Sequence, residues 1–557
     1  MDRSPDDITR QRWVILIVLF SACAIFLTLS LVVSQFVKVG ASPQDEASPG
    51  SIRLPRGALA DRNGFLLAFD VFEYDVEASP AGLSSEKRDK LADALAPLLN
   101  KPRDEIRALL ETNSAYVTLA THQSGSVEPE IKNIRESFGP VVKTVPHPVR
   151  YYPEGSLAAH VLGFVNADPG GCYGVEEYYQ QDLHREPVPL AKLGPAAWDD
   201  IQASDTLLVL TIDRYAQRIV EEELDAAIKQ TGAKSGQAIV MLAKSGEILA
   251  MASRPTYTPA EYWKAQANTW LNPNVSEIYE PGSIFKPITY AAALDTQTIS
   301  ASELFYDPGV IEVGGRKIYN WDKVGHGTVD IVEALGNSLN VVAATITQRM
   351  GKERFYTYVR RFGFGQLTEI DLAGEAPGIV KTPYDNPLYS DSDLGTNSFG
   401  QGISVTPIQM ISAISSIANG GVLMSPQVVR RKIVGGRVIE LQPRVIRRTV
   451  SSQTAETLTR ILVRVVDEYL VKAKVPGYSI AGKTGTAEIP IGGAYDPNDY
   501  IASFVGYGPA SDPQLVILVK LDRPQTVRSG EGAAAPVFQR IAARLFQYLA
   551  IPPDRAK

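Results

Sequence analysis

Between Trp13 and Val37 the chain runs for 25 positions without a charged residue, and no other stretch constrains its architecture as much. As an α-helix this run spans about 37 Å, enough to cross a hydrocarbon core with some tilt. A cleaved leader has a shorter apolar region of about 7–15 residues, so the run is read as a retained span. Arg3, Arg10 and Arg12 precede it and only Lys38 follows closely. That bias places residues 1–12 in the cytoplasm and everything after the span outside. The expected order is a cytoplasmic tail (1–12), a transmembrane helix (13–37), a short Pro-containing linker (38–50) and a large extracytoplasmic remainder, anchored once in the cell (inner) membrane.

A chain of 557 residues exceeds one hydrophobic core, so at least two folded domains are expected. Residues 51–200 mix short strand-like runs, such as Tyr74–Ala78, with helical stretches, such as Ser85–Leu99. From about Asp205 the pattern sharpens. Arg214–Lys229 carries an apolar stripe (Ala216, Ile219, Val220, Leu224, Ala227, Ile228) behind a capping Asp213. Gln237–Leu242 and Glu247–Ser253 read as one hairpin, and Tyr500–Gly506 with Gln514–Leu521 as another. A last helix is expected to start at Pro536, which suits a first helical position. Strands at both ends of residues 205–557 with helices between them predict an α+β domain, an antiparallel sheet with helices packed on it.

The net charge of −7 and the absence of a dense Lys/Arg cluster argue against a nucleic-acid partner. The two cysteines, Cys23 and Cys172, fall in different kinds of segment. Neither a disulfide framework nor a zinc spacing results, and Cys172 is read as a packing residue. His122, His147, His160 and His184 show no metal-like spacing and are read as surface or packing residues. No metal and no cofactor is expected.

Three short motifs carry the chemistry. In Glu280-Pro281-Gly282-Ser283-Ile284-Phe285-Lys286 a Pro-Gly turn leads into the apolar run Ile288–Leu294, so Ser283 should open a helix. Its i, i+3 partner Lys286 then lies on the same face, and a desolvated lysine can give up its proton and act as a base toward a serine. Ser338-Leu339-Asn340 follows Asp330-x-x-Glu333, a capping-box pattern, and offers a hydroxyl and an amide for relaying a proton and holding a substrate amide. In Lys483-Thr484-Gly485-Thr486 a strand would place Lys483 and Gly485 on one face and Thr484 and Thr486 on the other. Glycine there admits a substrate backbone, and lysine and threonine suit a carboxylate. Each motif alone is weak; the three in this order are specific. A Ser-His-Asp triad would need a histidine in this half, where only His326 stands, so His326 is given a minor role at most.

The combination of a serine–lysine pair with S-x-N and K-T-G elements resembles that of the penicillin-binding proteins and class A β-lactamases. Over almost everything after residue 50 the chain resembles a class B penicillin-binding protein. Arg56-Gly57-Ala58-Leu59-Ala60-Asp61-Arg62-Asn63-Gly64 is similar to the family's R-G-x-I-x-D-R-N-G signature, with Leu59 in place of the common isoleucine. Arg150-Tyr151-Tyr152-Pro153 and Gly171-x-x-Gly174-x-Glu176 resemble two further signatures of its non-catalytic region. Gly400-Gln401-Gly402 through Thr406-Pro407 resembles its G-Q-G…T-P segment, and Ala534-Ala535-Pro536-Val537-Phe538 the C-terminal A-A-P-x-F of septal, FtsI-like members.

The resemblance implies an elongated pedestal, dimerisation-like domain (51–200) and a serine β-lactamase-like transpeptidase domain (205–557). It also implies a peptidoglycan D,D-transpeptidase that cross-links stem peptides through a serine acyl-enzyme and is acylated by β-lactams. Ser283 would be the nucleophile, Lys286 the base, and Ser338 and Asn340 the proton path and donor-peptide contact. Lys483, Thr484, Gly485 and Thr486 would form the substrate-binding strand, with the Thr486 N–H in an oxyanion hole. A septal role is expected ahead of an elongation role, with a polytopic FtsW-like glycosyltransferase and other wall-synthesis proteins as partners. A β-lactamase, a β-lactam-sensing receptor and a scaffold with a vestigial site are the alternatives.

Overall fold

The computed structural model describes residues 51–112, 114–166, 170–189, 204–491, 494–527 and 529–555. The expected tail, membrane span and linker lie outside the described residues. Among the described residues no helix is long and apolar enough to cross a membrane. The described residues from Arg53 to Glu186 and from 204 onward form one compact unit. Separately, Ser51–Ile52 pairs with Val188–Pro189 in a short antiparallel ladder.

The N-terminal part of the compact unit runs β1 (Ala58–Ala60), β2 (Leu66–Ala78), α1 (Ser85–Leu99), α2 (Arg103–Leu110), β3 (Val117–Gln123), α3 (Val127–Phe138) and β4 (Val142–Tyr151). The Ser84 hydroxyl accepts from Lys87 N–H to start α1, and Asn100, in the left-handed region, ends it. Leu91, Leu95 and Leu99 form the buried stripe of α1 and close, with Val76, Ile106, Leu119 and Ile131, a small core of their own. β2 alternates at its C-terminal end: Val76 and Ala78 are buried, while Glu73, Asp75 and Glu77 stay partly exposed.

Three segments far apart in sequence meet at one buried point. Arg56 Nε donates to Glu176 Oε2 at 2.6 Å, Arg150 Nε to Glu176 Oε1 at 2.9 Å, and Arg150 Nη1 to Asp70 Oδ1 at 3.0 Å. Three of the signatures noted in the sequence thus serve one ionic knot. Cys172 packs beside the apolar cluster of Ala159, Phe164 and Tyr257. His160, buried there, donates from Nε2 to the Thr269 carbonyl at 2.9 Å, and burial pushes its pKa down to about 4.

The second part continues with β5 (Thr206–Leu210), α4 (Arg214–Thr231), β6 (Ser235–Leu242), β7 (Ile248–Arg254), α5 (Lys286–Asp295), α6 (Ile331–Gly336), α7 (Asn340–Met350), α8 (Pro407–Ala418), β8 (Val429–Val434), β9 (Arg437–Glu440), α9 (Ser452–Glu468), β10 (Ala481–Ile491), β11 (Ala494–Gly508), β12 (Leu515–Asp522) and α10 (Gly530–Tyr548). Asp213 caps α4, accepting from Tyr215 and Ala216 N–H. Both expected hairpins pair as antiparallel ladders. They lie in a five-stranded sheet of order β7-β6-β12-β11-β10. β12 is buried at all eight positions, which requires cover on both faces of the sheet. α4 and α10 pack on each other and on the sheet, as do α8 and α9, and α5 packs against α8 and α9.

The last helix departs from the expectation. It starts at Gly530, where the Ser529 hydroxyl accepts from Gly532 N–H, and Pro536 lies inside it. A serine cap and a run of alanines outweigh the single hydrogen bond that Pro536 forgoes to the carbonyl one turn back.

A second sheet has the order β9-β8-β5-β1-β2-β3, with β4 also on β2. In it β1 runs parallel to β5, and β5 pairs on its other side with β8. Strands from the middle of the second part therefore share one hydrogen-bonded ladder with strands from the start of the first.

Candidate active site

Ser283 lies in a single 3₁₀ turn, Gly282–Phe285, and the α-helix begins three residues later, at Lys286. The expected α-helical start is displaced for a local reason. An α-helical bond to the Ser283 carbonyl would come from residue 287, which is proline and has no N–H. Lys286 N–H takes that carbonyl instead, the i→i+3 bond of a 3₁₀ turn.

Behind this turn stands the Gly400-Gln401-Gly402 segment. Gly282 N–H donates to the Gly400 carbonyl at 3.1 Å, Gly402 N–H to Glu280 Oε1 at 3.0 Å, and Tyr279 and Val405 exchange two backbone bonds of 2.9 Å. Gly400 has φ +79°, and a Cβ there would lie 2.3 Å from the Gly282 carbonyl oxygen. Only glycine fits both demands. The sequence marked this segment by resemblance alone; the structure gives it the task of holding the turn that presents Ser283.

Ser338 and Asn340 come from the junction of α6 and α7. Asp330 caps α6, accepting from Glu333 N–H at 2.8 Å, but α6 ends at Gly336, so the capped helix stops short of the motif it was expected to carry. Ser338 sits in the left-handed region, φ +57°, a conformation a non-glycine residue holds only under constraint from its surroundings. It turns both its hydroxyl and its carbonyl toward Lys286. Lys286 Nζ lies 2.5 Å from Ser338 O, 3.0 Å from Ser338 Oγ and 2.9 Å from Asn340 Oδ1, while Ser338 Oγ and Ser283 Oγ are 2.8 Å apart. Asn340 Nδ2 donates to the Tyr319 carbonyl at 3.2 Å, which orients the amide so that its oxygen faces Lys286.

The expected direct approach of Lys286 to Ser283 is replaced by a bridge: Ser338 links them. Lys286 is fully buried. Burial, and after it the charge of Lys483, holds its pKa well below the ordinary lysine range. A neutral amine keeps two N–H donors and one lone pair. The Ser338 carbonyl and Asn340 Oδ1 take the two donors, which leaves the lone pair for the Ser338 hydroxyl. Hydroxyl protons rotate freely between acceptors. The same distances therefore let Ser283 donate to Ser338 while Ser338 donates to Lys286.

Lys483, Thr484, Gly485 and Thr486 lie on β10, at the edge of the five-stranded sheet. Its outer backbone groups are thus available to an added extended segment. Lys483 is fully buried and desolvation pushes its pKa down to about 7; its Nζ reaches the Thr484 carbonyl at 3.1 Å. A Cβ on Gly485 would come within 3.0 Å of Ile284 and 2.5 Å of Ser503 Oγ, so the missing side chain lets the Ser283 turn close against the strand. Thr486 Oγ1 accepts from Gly530 N–H at 3.1 Å, tying β10 to the start of α10. The junction of the Ser283 turn and β10 joins a hydroxyl, a buried amine and an edge strand, which is the equipment for acyl transfer from an extended peptide.

His326 is held by Asp322, 2.9 Å from its Nε2, and its backbone N–H donates to Asp307. Sequence reasoning passed over Tyr319 and Trp321. The first receives the Asn340 amide; the second, 73% exposed, donates from its indole to the Asn337 carbonyl beside the motif. No spacing signal marks either.

Comparison with known proteins decides the family. Residues 236–543 match the model of the penicillin binding protein transpeptidase domain, and residues 51–186 that of the penicillin-binding protein dimerisation domain. The chain belongs to the class B penicillin-binding proteins. It is 35% identical over 517 residues to stage V sporulation protein D of Bacillus subtilis, covering 90% of this chain and 79% of that one. It is 30% identical over 525 residues to the peptidoglycan D,D-transpeptidase FtsI of Escherichia coli K12, covering 90% and 84%. Among solved structures, penicillin binding protein 3 of Mycobacterium tuberculosis complexed with ampicillin superposes with a TM-score of 0.71 at 30% identity, covering 91% of this chain and 98% of that one. The penicillin-binding fold and its dimerisation region thus account for the second part and the first.

Proposed function

We propose that this class B penicillin-binding protein is a peptidoglycan D,D-transpeptidase with Ser283 as its nucleophile. The observation that carries the reading is the continuous path Ser283 Oγ–Ser338 Oγ–Lys286 Nζ, at 2.8 and 3.0 Å, ending on a lysine that burial keeps ready to be neutral. Ser283 Oγ attacks the carbonyl carbon of the penultimate D-alanine, and its proton passes through Ser338 to Lys286. The C–N bond to the terminal D-alanine breaks and the leaving amine takes that proton. An amine of a second stem peptide then attacks the ester, returns a proton along the same path and frees Ser283. The backbone N–H groups of Ser283 and Thr486 stabilise the oxyanion. Asn340 holds the donor amide. Lys483 and Thr484 bind the terminal carboxylate, and the donor backbone lies along the edge strand β10. A β-lactam enters as the donor does and leaves its opened ring on Ser283.

The reading extends to a single membrane anchor at Trp13–Val37 with the N-terminus cytoplasmic, supported by the uncharged run and the Arg3, Arg10, Arg12 bias. It extends also to a septal role, supported by Ala534-Ala535-Pro536-Val537-Phe538 and the likeness to FtsI, and to an FtsW-like partner on the dimerisation region, supported by the family resemblance. Fluorescent penicillin with mapping of the adduct tests the nucleophile: a stable adduct on Ser283 is expected, and an adduct elsewhere overturns it. Cross-linking of lipid-linked donor in vitro separates a transpeptidase from a β-lactam sensor, and a short-lived adduct would indicate a hydrolase. Depletion tests the role, with filaments expected; rounded cells would move the assignment to elongation.

A further inference from the structure

The histidines that the sequence scatters along residues 122–184 are partly gathered by the fold. β2, β3 and β4 bring Glu73, His122 and His147 together, so that one imidazole nitrogen of each histidine and one carboxylate oxygen of Glu73 lie within 4.8 Å of one another. Glu73 and His147 are direct cross-strand partners between β2 and β4, which puts both side chains on one face. His122 arrives by a different route. Tyr74 opposes Gln123 and Val76 opposes Ala120. Two residues of β3, Thr121 and His122, therefore face the single residue Asp75. This is a bulge, a device that re-aims a side chain. His122 takes φ +55° there, its N–H donates to Asp75 Oδ1 at 3.0 Å, and its Nδ1 lies 2.7 Å from Glu73 Oε2.

We propose that Glu73, His122 and His147 form a site for a divalent transition-metal ion, best suited to Zn²⁺. Two imidazoles and one carboxylate are a zinc donor set, and imidazole nitrogen disfavours Ca²⁺ and Mg²⁺. His147 Nε2 is closed to water and has no hydrogen-bond partner among the described residues, a cost that a metal or its bound water would remove. Asp75 Oδ1, 3.8 Å from that nitrogen, stands where a further oxygen ligand or an outer carboxylate would orient the ring. Glu73 and Asp75 together carry the two negative charges that balance a divalent cation. His122 is two-thirds exposed, so the site opens to solvent and keeps a coordination position for water or for a donor group of another molecule. The ion would staple three strands of the dimerisation region, remote in sequence from the transpeptidase motifs.

The test uses the full chain in detergent, expressed without a polyhistidine tag and stripped with chelator. Titration calorimetry with ZnCl₂ should show one tight site, and Zn²⁺ should raise the unfolding temperature where Ca²⁺ and Mg²⁺ do not. Co²⁺ should give the visible absorption of a low-coordinate nitrogen and oxygen site. The variant His122→Asn, His147→Gln keeps a residue tolerant of the left-handed bulge at 122. It should label with fluorescent penicillin as the parent does, while losing on the order of 100-fold in Zn²⁺ affinity. Absence of Zn²⁺ binding by the parent chain overturns the proposal, as does undiminished binding by the variant. Should the variant fail to fold, the Co²⁺ spectrum of the parent decides alone: no ligand-field band, no site.

Discussion

Arg56 and Glu176, 120 residues apart, meet through a 2.6 Å hydrogen bond with both side chains buried. Arg150 completes the knot from the opposite carboxylate oxygen. One glutamate thereby accepts from two guanidinium groups that are almost wholly buried. Removing a single member of such a buried set costs far more than the set contributes, because the remaining charge keeps its desolvation penalty.

Glu176→Gln should therefore destabilise the folded chain by about 3–5 kcal/mol. Denaturant unfolding measures this. The catalytic site contains none of these groups, so the fraction that stays folded should still label with penicillin.

Ser338→Ala removes the bridge between Ser283 and Lys286 and leaves both in place. Acylation by penicillin should slow by about 10²–10⁴-fold, the usual worth of a positioned proton carrier, with little change in unfolding temperature. Stopped-flow acylation rates check it. A rate within a few-fold of the parent would mean that Lys286 serves Ser283 without the bridge.

The two buried lysines predict a bell-shaped pH profile for the acylation rate constant at low β-lactam concentration. The ascending limb follows loss of the Lys286 proton, whose pKa burial sets well below the ordinary value. The descending limb follows loss of the Lys483 charge needed for the ligand carboxylate, at about 7 in the free enzyme. Acylation measured from pH 5 to 9 should show the descending limb centred near pH 7.

Lys483 also predicts a stability change. Its proton leaves near pH 7 in the folded chain, against 10.5 for an ordinary lysine. Between those values the unfolded chain binds more protons, so this group makes stability rise with pH across that window. Lys483→Met should flatten the rise and stabilise the chain at pH 7 by on the order of a few kcal/mol, at the expense of acylation. Unfolding temperatures at pH 7 and 9 for both chains test the sign.

Gly400→Ala forces a Cβ to within 2.3 Å of the Gly282 carbonyl oxygen at φ +79°. The turn carrying Ser283 must move. Acylation should fall at least tenfold, and stability by about 1–3 kcal/mol. Penicillin labelling and thermal unfolding follow the two effects.

Much of the catalytic half is legible in residue patterns, because local rules govern it. The Asp213 cap, the two hairpins and the alternation of Lys483 to Thr486 depend on neighbours a few residues away. The bridge by Ser338 is different. It depends on a left-handed turn at a serine, which no local preference announces, and on a proline that converts the start of α5 into a 3₁₀ turn. The meeting of Arg56, Arg150 and Glu176 and that of Glu73, His122 and His147 are products of strand pairing over long separations. Sequence reading treated the first three as separate signatures and the histidines as isolated, since neither register nor a bulge is written in spacing. The helix expected at Pro536 shows the converse error: a rule correct for one position yielded to a stronger cap upstream.

The shared sheet has a mechanical consequence. β5 is bonded along one side to β1 and along the other to β8. A load taken up by β1 would reach the transpeptidase core as shear along hydrogen-bonded rungs, the stiff direction of a sheet, with no slack tether to absorb it. Tension applied to the dimerisation region would then arrive at the catalytic half as a small strand displacement, the kind of signal a lever passes and a string does not.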